Sequence, residues 1–327
     1  MIFTSFSYWL WFAALAILAL ILANLPLFNL LAFEFCAILA TGISFAGAHI
    51  AITSVQRLRR RNDPIPAGPP AQTWTERSER LMNALFWGSF GINLTLLVAP
   101  LAIILLNALR VKNCNFGEGI LFFLLLPVVS CVYATGAGVC LGLWTKKRWT
   151  AYLTYLAYIF ATLLLLIYNI VFHPPVFGYH STFGYFPGPI YDECIPISGT
   201  LLIARGTTLL LTGIFLLLAI NTLNESTLTL RWRNLYRFRF THYALRITQS
   251  ASSIHRVLLA ALVIGFALIY LHRGNLGLRP TRGYIEKKLG GLKETEHFKI
   301  YYEKGSKVER EIEWMAQDHE FRYAQLI

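Results

Sequence analysis

Charge is scarce in this sequence, and negative charge is the scarcest. Asp, Glu, Lys and Arg make up 14% of the 327 residues, whereas hydrophobic residues make up 56%. An ordinary soluble domain carries roughly 25% charged residues. Only 17 residues are acidic against 29 basic ones. So few charges cannot cover the apolar surface of a chain of this length, which argues against an ordinary soluble protein and predicts that lipid is its main solvent.

Short motifs with a known chemistry are also missing. The sequence has no GxxxxGK[ST] phosphate loop, no GxSxG nucleophile turn, no CxxC pair and no HExxH zinc motif. The nearest match is His319-Glu320-Phe321-Arg322-Tyr323, in which Tyr323 stands in place of the second histidine. We therefore predict no cofactor and no metal from motifs, and whether the chain is an enzyme stays open.

Long apolar runs occupy most of the chain instead. A helix rises 1.5 Å per residue, so about 20 apolar residues span the hydrocarbon core of a bilayer. Spans are predicted at residues 6–25, 31–55, 83–109, 119–143, 150–172, 199–221 and 254–271. The predicted fold class is an all-α membrane protein, with about seven transmembrane helices in a domain of residues 1–272.

Lys and Arg are concentrated in alternate loops. Most of those before residue 273 lie in or beside loops 56–82, 144–149 and 222–253, whereas the intervening loops hold only Arg110 and Lys112. Basic loops stay on the cytoplasmic side of a membrane. The pattern predicts a multi-pass protein of the inner (cell) membrane with a cytoplasmic N-terminus and an extracytoplasmic C-terminus.

The third basic loop alternates arginines with aromatic residues. Arg231, Arg233, Arg237 and Arg239 could contact anionic lipid head groups. The alternative is that they only anchor the topology at the interface, as Arg, Trp and Tyr commonly do. The bilayer is therefore the predicted partner, and nucleic acid is not expected because so little of the chain is exposed.

The outer loop 173–198 is the leading candidate for a site. It contains no Lys or Arg, and His173, His180, Asp192 and Glu193 are residue types that bind divalent metals or transfer protons. Their spacing fits no known metal motif, and the alternative is a structured cap on the membrane surface. Cys194 in this loop and Cys114 in the preceding outer loop form a candidate disulfide, since outer thiols tend to pair in an oxidising compartment.

Glu34 and Arg205 are charged residues inside predicted spans, where charges are costly and functional by default. Glu34 and Arg205 lie at similar depth near the outer surface, so they form a candidate ion pair. Glu118, Asp192 and Glu193 are rival partners for Arg205, which could also extend to the outer head groups.

Small and polar residues within the spans predict helix packing. Gly138 and Gly142 form a GxxxG pair, and the second span carries Gly42, Ala46, Gly47 and Ala51. Small residues let helices approach closely in lipid. His49, Asn93 and Asn107 are expected to form hydrogen bonds between helices.

Residues 273–327 differ in composition from the apolar spans before them. They mix both signs of charge as a water-exposed surface does. Residues 297–303 alternate like a strand, and Ser306 to Glu309 reads as the start of an amphipathic helix. One strand and one helix bury too little surface to fold alone. We therefore expect a short α/β extracytoplasmic segment that is the truncated start of a soluble module.

This tail also carries a resemblance. Residues 289–302, LGGLKETEHFKIYY, resemble the opening strand of peptidase-MA-like (gluzincin-type) modules, and the helix that follows resembles theirs. In bacteria such modules can follow a polytopic membrane region. The resemblance implies an extracytoplasmic peptidase whose zinc motif would lie beyond Ile327, so it assigns no catalytic residue here.

Three functions follow from these observations. The first is a membrane anchor or platform for a larger protein with an extracytoplasmic domain. The second is a transporter or channel that uses Glu34, Arg205 and the outer loop 173–198. The third is a membrane-embedded enzyme that uses Asp192 and Glu193.

Overall fold

The computed structural model describes residues 6–61, 74–112, 115–173, 177–188, 195–224, 229–230 and 251–326. Within these ranges the chain is mostly helical. The helices are α1 (Phe6–Asn24), α2 (Phe33–Arg61), α3 (Trp74–Leu96), α4 (Val98–Asn107), α5 (Phe116–Phe123), α6 (Val129–Trp144), α7 (Arg148–Phe172), α8 (Gly199–Thr222), α9 (Ala251–Leu271), α10 (Arg282–Leu289) and α11 (Lys307–Leu326). The strands are β1 (Gly178–His180), β2 (Gly184–Phe186), β3 (Leu223–Asn224), β4 (Thr229–Leu230), β5 (Gly290–Glu294) and β6 (Lys299–Glu303), paired in antiparallel hairpins.

All of the long apolar helices that the sequence predicts are present. Among the described residues, seven helical stretches of 18 to 30 residues are long and apolar enough to cross a membrane. The loops are shorter than predicted, because α2 continues to Arg61 and α3 already begins at Trp74.

Two of the seven stretches are interrupted. The third divides at Leu97 into α3 and α4, and Pro100 lies in the first turn of α4, where a missing N–H does little harm. The fourth stretch consists of α5, a π-helical turn at Leu124–Val128 and α6, with Pro127 inside the π turn. Such turns often mark functional positions in helices.

The centre of the bundle is the contact between α2 and α6, as the small residues predict. A Cβ atom on Gly138 would lie 2.8 Å from the Ala51 Cβ and 2.9 Å from the Ala48 carbonyl oxygen. A Cβ atom on Gly142 would lie 3.1 Å from the Val55 Cβ. The two helices can therefore approach this closely only because α6 carries glycine here.

The hydrogen bonds predicted between helices are present for Asn93 and His49, whereas Asn107 bonds to the loop between α1 and α2. The Asn93 amide donates to the Gly47 carbonyl at 3.2 Å and to the Thr135 hydroxyl at 2.8 Å. Asn107 donates to the Asn29 carbonyl at 2.7 Å. The His49 ring lies 3.2 Å from the Arg148 guanidinium. These polar groups join segments that are distant in the sequence.

Helices α1, α7 and α9 lie at the periphery. Their outward side chains are large and apolar, and the most exposed are Phe6 at 82%, Trp149 at 77% and Leu271 at 75%. None of the residues in the most apolar window of α9 is buried, whereas two thirds of those in α2 are. These helices therefore need an apolar environment around the bundle.

The C-terminal segment contains more structure than predicted. The predicted strand at 297–303 is β6, and it pairs with β5, which the sequence analysis did not identify. Helix α11 packs on this hairpin, but among the described residues only Ile312 and Ala316 are buried apolar side chains there. Ion pairs such as Lys293–Glu313 at 2.6 Å join the helix to the sheet.

Candidate functional site

The hairpin of β1 and β2 enters the helix bundle. Thr182 in its turn is 2% exposed, and its carbonyl oxygen lies 3.2 Å from the hydroxyl of Ser44 in α2. Ser44 lies 11 residues from the end of α2 at Phe33, a depth of about 16 Å at 1.5 Å per residue. The described part of this loop at 177–188 is thus a strand hairpin inserted between helices.

Gly184 makes this insertion sterically possible. Its φ angle is +97°, and a Cβ atom there would collide with the side chain of Leu126. Residues other than glycine rarely adopt positive φ. The hairpin can therefore lie against the π turn only with glycine at this position.

Arg205 holds the inserted hairpin. The side chain is 1% exposed, six residues inside α8 from Gly199. Its Nη1 donates to the carbonyl oxygens of His180 and Ser181, both at 3.3 Å. On the other side Nε donates to the Leu125 carbonyl at 2.7 Å, and Nη2 donates to the Leu126 carbonyl at 3.2 Å and to the Ser130 hydroxyl at 2.8 Å. One guanidinium therefore bridges the hairpin and the fourth helical stretch.

The π turn explains why a carbonyl is available to Arg205. The N–H of Val129 bonds to the carbonyls of Leu124 and Leu126, five and three residues earlier. It omits Leu125, which an α-helix would use as its acceptor. That released carbonyl is the closest acceptor of Arg205.

His180 is locked in one neutral tautomer by its partners. Its Nδ1 atom accepts the backbone N–H of Thr182 at 3.2 Å, so Nε2 carries the proton and donates to the Thr162 hydroxyl at 3.0 Å. Burial, and then the positive charge of Arg205, lower the pKa of His180 to about 4. Both ring nitrogens are occupied, which leaves neither one free to bind a metal.

A cavity of about 290 Å³ lies beside the hairpin, on the side away from α2. Its walls come from the end of α7, the start of α8, the end of α9 and strand β1. Ser181, Gly184 and His180 contribute hairpin surface to it, whereas Arg205 lies behind them.

Two arginines line the end of this cavity that lies beside the C-terminal ends of α7 and α9. The Arg273 guanidinium stacks on the Tyr270 ring, 4.1 Å from its centroid. The Arg279 backbone N–H donates to the Arg273 carbonyl at 3.0 Å, which holds the two residues together. Burial, and then the like charge of Arg273, lower the pKa of Arg279. The cavity lining contains no Asp or Glu.

Residues 273–279 thus belong with the helix bundle. The sequence assigned them to the soluble segment because their charges resemble those of the tail. Their side chains line the cavity together with α7 and α8, and Gly277 lies against Thr200 at the start of α8. These residues therefore contact the helix bundle, and the domain boundary at residue 272 stays a prediction.

The predicted ion pair of Glu34 and Arg205 is not formed. Every hydrogen bond of Arg205 goes to a carbonyl or hydroxyl group. Glu34 instead lines a separate cavity of about 110 Å³ with Asn115 and Glu118. Backbone carbonyls, which a side-chain pattern does not reveal, take the place of the predicted carboxylate.

The predicted outer-loop site is only partly described. His180 is buried in the hairpin, and His173 follows the end of α7. Asp192, Glu193, Cys114 and Cys194 lie outside the described residues, as do Arg231, Arg233, Arg237 and Arg239. Within the described ranges, no three His, Cys, Asp or Glu side chains are grouped so as to hold a metal ion.

Some features of the site were missed from the sequence. Pro127, a proline within a predicted span, was the available signal for the released carbonyl. Gly178, Gly184 and the alternating aromatic residues around them were a signal for a hairpin.

No family model, curated protein or solved structure matches this chain. Similarity to known proteins therefore assigns no role to these residues.

Proposed function

We propose that this chain is a multi-pass protein of the inner membrane that serves as an anchor and platform for an extracytoplasmic module. The observation that carries the proposal is the contrast between the two parts of the chain. Helices α1, α7 and α9 expose large apolar side chains around the bundle, whereas the segment that follows α9 exposes charges of both signs. Lipid around the first part and water around the second satisfy both surfaces.

The inserted hairpin supports the same proposal. Non-helical backbone at membrane depth is tolerated only where its polar groups find partners inside the protein. Arg205 and Ser44 supply such partners for three carbonyls of the hairpin turn. In a soluble protein the carbonyls of such a turn could bond to water. Their buried hydrogen-bond partners therefore fit a protein that is surrounded by lipid.

The alternation of basic loops supports the orientation. A cytoplasmic N-terminus and an extracytoplasmic C-terminus place loops 56–82, 144–149 and 222–253 on the inner side. The hairpin, the cavity and the segment from α10 to α11 then share the outer side. The peptidase-like character of that segment stays a prediction from its resemblance.

A transporter that uses Glu34 and Arg205 has less support. The two side chains do not share a cavity, and all donors of Arg205 that could meet a substrate are directed at protein acceptors. Arg205 is better explained as a structural clamp. No described geometry favours an enzyme built on Asp192 and Glu193.

Reporter fusions test the proposal. A reporter that is active only outside the cytoplasm should be active when fused at Ile327 and inactive when fused at Lys147, between α6 and α7. The protein should also stay in the membrane pellet after alkaline carbonate extraction. Activity at Lys147 with none at Ile327 would reverse the orientation, and release by carbonate would contradict the membrane placement itself.

A further inference from the structure

The cavity between α7, α8 and α9 has one charged end and one apolar wall. We propose that it binds an anionic phospholipid of the outer leaflet, with the phosphate at Arg273 and Arg279 and part of one acyl chain against the apolar wall. This inference rests on the membrane placement proposed above.

The charge at the outer end selects an anion. Arg273 and Arg279 lie together, and the lining offers no carboxylate to balance them. In the described part of the chain neither guanidinium has an ion-pair partner. Guanidinium groups bind phosphate oxygens through paired, charge-assisted hydrogen bonds. Like charges brought together without a counter-ion are stabilised by an anionic ligand.

Asn169 supplies a second, independent observation. Asn169 lines the cavity, and its buried side-chain Oδ1 atom has no hydrogen-bond partner among the described residues. Buried polar atoms normally have a partner, so an exception indicates that something else supplies one. Asn169 lies three residues before the end of α7 at Phe172, and its Oδ1 atom accepts hydrogen bonds, which the head-group hydroxyls of phosphatidylglycerol can donate and an ester group cannot.

Most of the cavity surface is apolar, although Thr162 and Thr208 also line it. Leu165, Leu211 and Phe266 come from three different helices, and the lining residues of α7 extend from Tyr158 to Asn169. Those 11 residues correspond to about 16 Å along the helix axis. A free phosphate would use only the end of such a cavity, whereas an amphiphile uses its whole length.

The arrangement of the helices gives a lipid access from the side. Helix α7 packs on α2 and α6, whereas α9 packs on α8, so α8 forms the floor between them. The outer faces of α7 and α9 are apolar and exposed, as shown by Leu164, Phe160 and Leu268. A volume of about 290 Å³ encloses only part of a lipid, and these faces would carry the rest.

Photolabelling with lipid analogues tests the inference. The full chain is reconstituted into phosphatidylcholine vesicles that contain a small fraction of phosphatidylglycerol with a photoreactive acyl chain. We expect labelling of peptides from α7 and α9 around Leu165 and Phe266. The double variant Arg273→Gln/Arg279→Gln should reduce it by about tenfold or more, the effect of losing at least one charge-assisted hydrogen bond.

Two further variants separate the effect of the arginine charges from the effect of filling the cavity. Arg282→Gln is the matched control, since this nearby arginine is exposed and paired with Glu286, and it should leave labelling unchanged. Thr207→Trp keeps both arginines but fills the cavity, so it should abolish labelling. Thermal unfolding midpoints near that of the unaltered protein would show that each variant is folded.

Several outcomes would overturn the inference. These are equal labelling by a phosphatidylcholine analogue, unchanged labelling in the double variant, and complete competition by millimolar inorganic phosphate, which would identify a free-anion site. If the protein fails to insert into the vesicles at all, the membrane placement is what fails. If it inserts but shows any of these outcomes, only the lipid site is wrong.

Discussion

The Nε atom of Arg205 lies 2.7 Å from the carbonyl oxygen of Leu125, a group that the π turn releases from the helix ladder. This contact ties α8 to the fourth helical stretch, while the other face of the same guanidinium holds the hairpin turn. A distortion in one helix is thereby stabilised by a charge on another. The π turn supplies an acceptor for Arg205, and Arg205 satisfies the carbonyl that the π turn leaves unpaired.

Replacing Arg205 should therefore damage the fold more than any other single change in this region. Arg205→Met keeps an unbranched stem and removes every donor, leaving buried carbonyls without partners at about 1–3 kcal/mol each. Arg205→Lys should rescue only partly, because an ammonium group lacks the planar fork. Thermal unfolding of the purified protein in detergent measures both effects.

Ser130→Ala is the matched control for that comparison. It removes one acceptor of Arg205 and leaves the carbonyl bonds in place, so the expected loss is about 1 kcal/mol. Equal midpoints for Arg205→Met and the unaltered protein would show that the guanidinium is not a clamp.

The pKa of His180 predicts a pH dependence of stability. Its pKa falls from an ordinary 6.5 to about 4 in the folded protein. Between these values the unfolded chain binds a proton that the folded chain does not, so stability is present above about pH 6.5 and declines as the pH falls towards 4. The contribution is on the order of 3 kcal/mol.

His180→Asn isolates this effect, since asparagine keeps an acceptor for the Thr182 N–H and does not titrate. Unfolding midpoints of both proteins between pH 7.5 and pH 5 should converge as the pH falls. Profiles that stay parallel over that range would mean that His180 is not held neutral.

The helices could be predicted from the sequence because length and composition alone determine them. A run of 20 apolar residues can hardly do anything else in a membrane. The hydrogen bonds of Asn93 and Asn107 were predictable for the same reason, since a buried amide in a span requires a partner.

The partners of Arg205 could not be predicted in this way. A search for its counter-ion considers carboxylates such as Glu34, but the actual acceptors are backbone carbonyls, which every residue has. Their availability depends on a helix distortion and on a hairpin whose position is fixed by packing. The contact of Arg273 and Arg279 with the cavity could not be predicted either, because charged residues are equally common in a soluble segment.

The Asn93–Thr135 hydrogen bond gives a smaller, measurable coupling. Asn93→Ala and Thr135→Ala should each destabilise the bundle, and the double variant should lose less than the sum of the two. Hydrogen bonds between membrane helices contribute about 0.6 to 2 kcal/mol, so the coupling should fall in that range. Strict additivity would show that the 2.8 Å contact contributes no net stability.

Close packing of α6 on α2 gives the sharpest steric test. Gly138→Ala places a methyl group 2.8 Å from the Ala51 Cβ and 2.9 Å from a backbone oxygen of α2. Backbone cannot move aside as a flexible side chain can, so the helices must separate, at a cost of about 1–3 kcal/mol.

Gly91→Ala is the matched control, because a Cβ atom there has no neighbour within 4 Å. Both changes replace glycine by alanine inside a helix, and so they share the same gain in helix propensity. Only Gly138→Ala should lower the unfolding midpoint. A fall of equal size in both variants would assign the effect to the helices themselves, and the contact of α2 with α6 would not be the tight centre of the bundle.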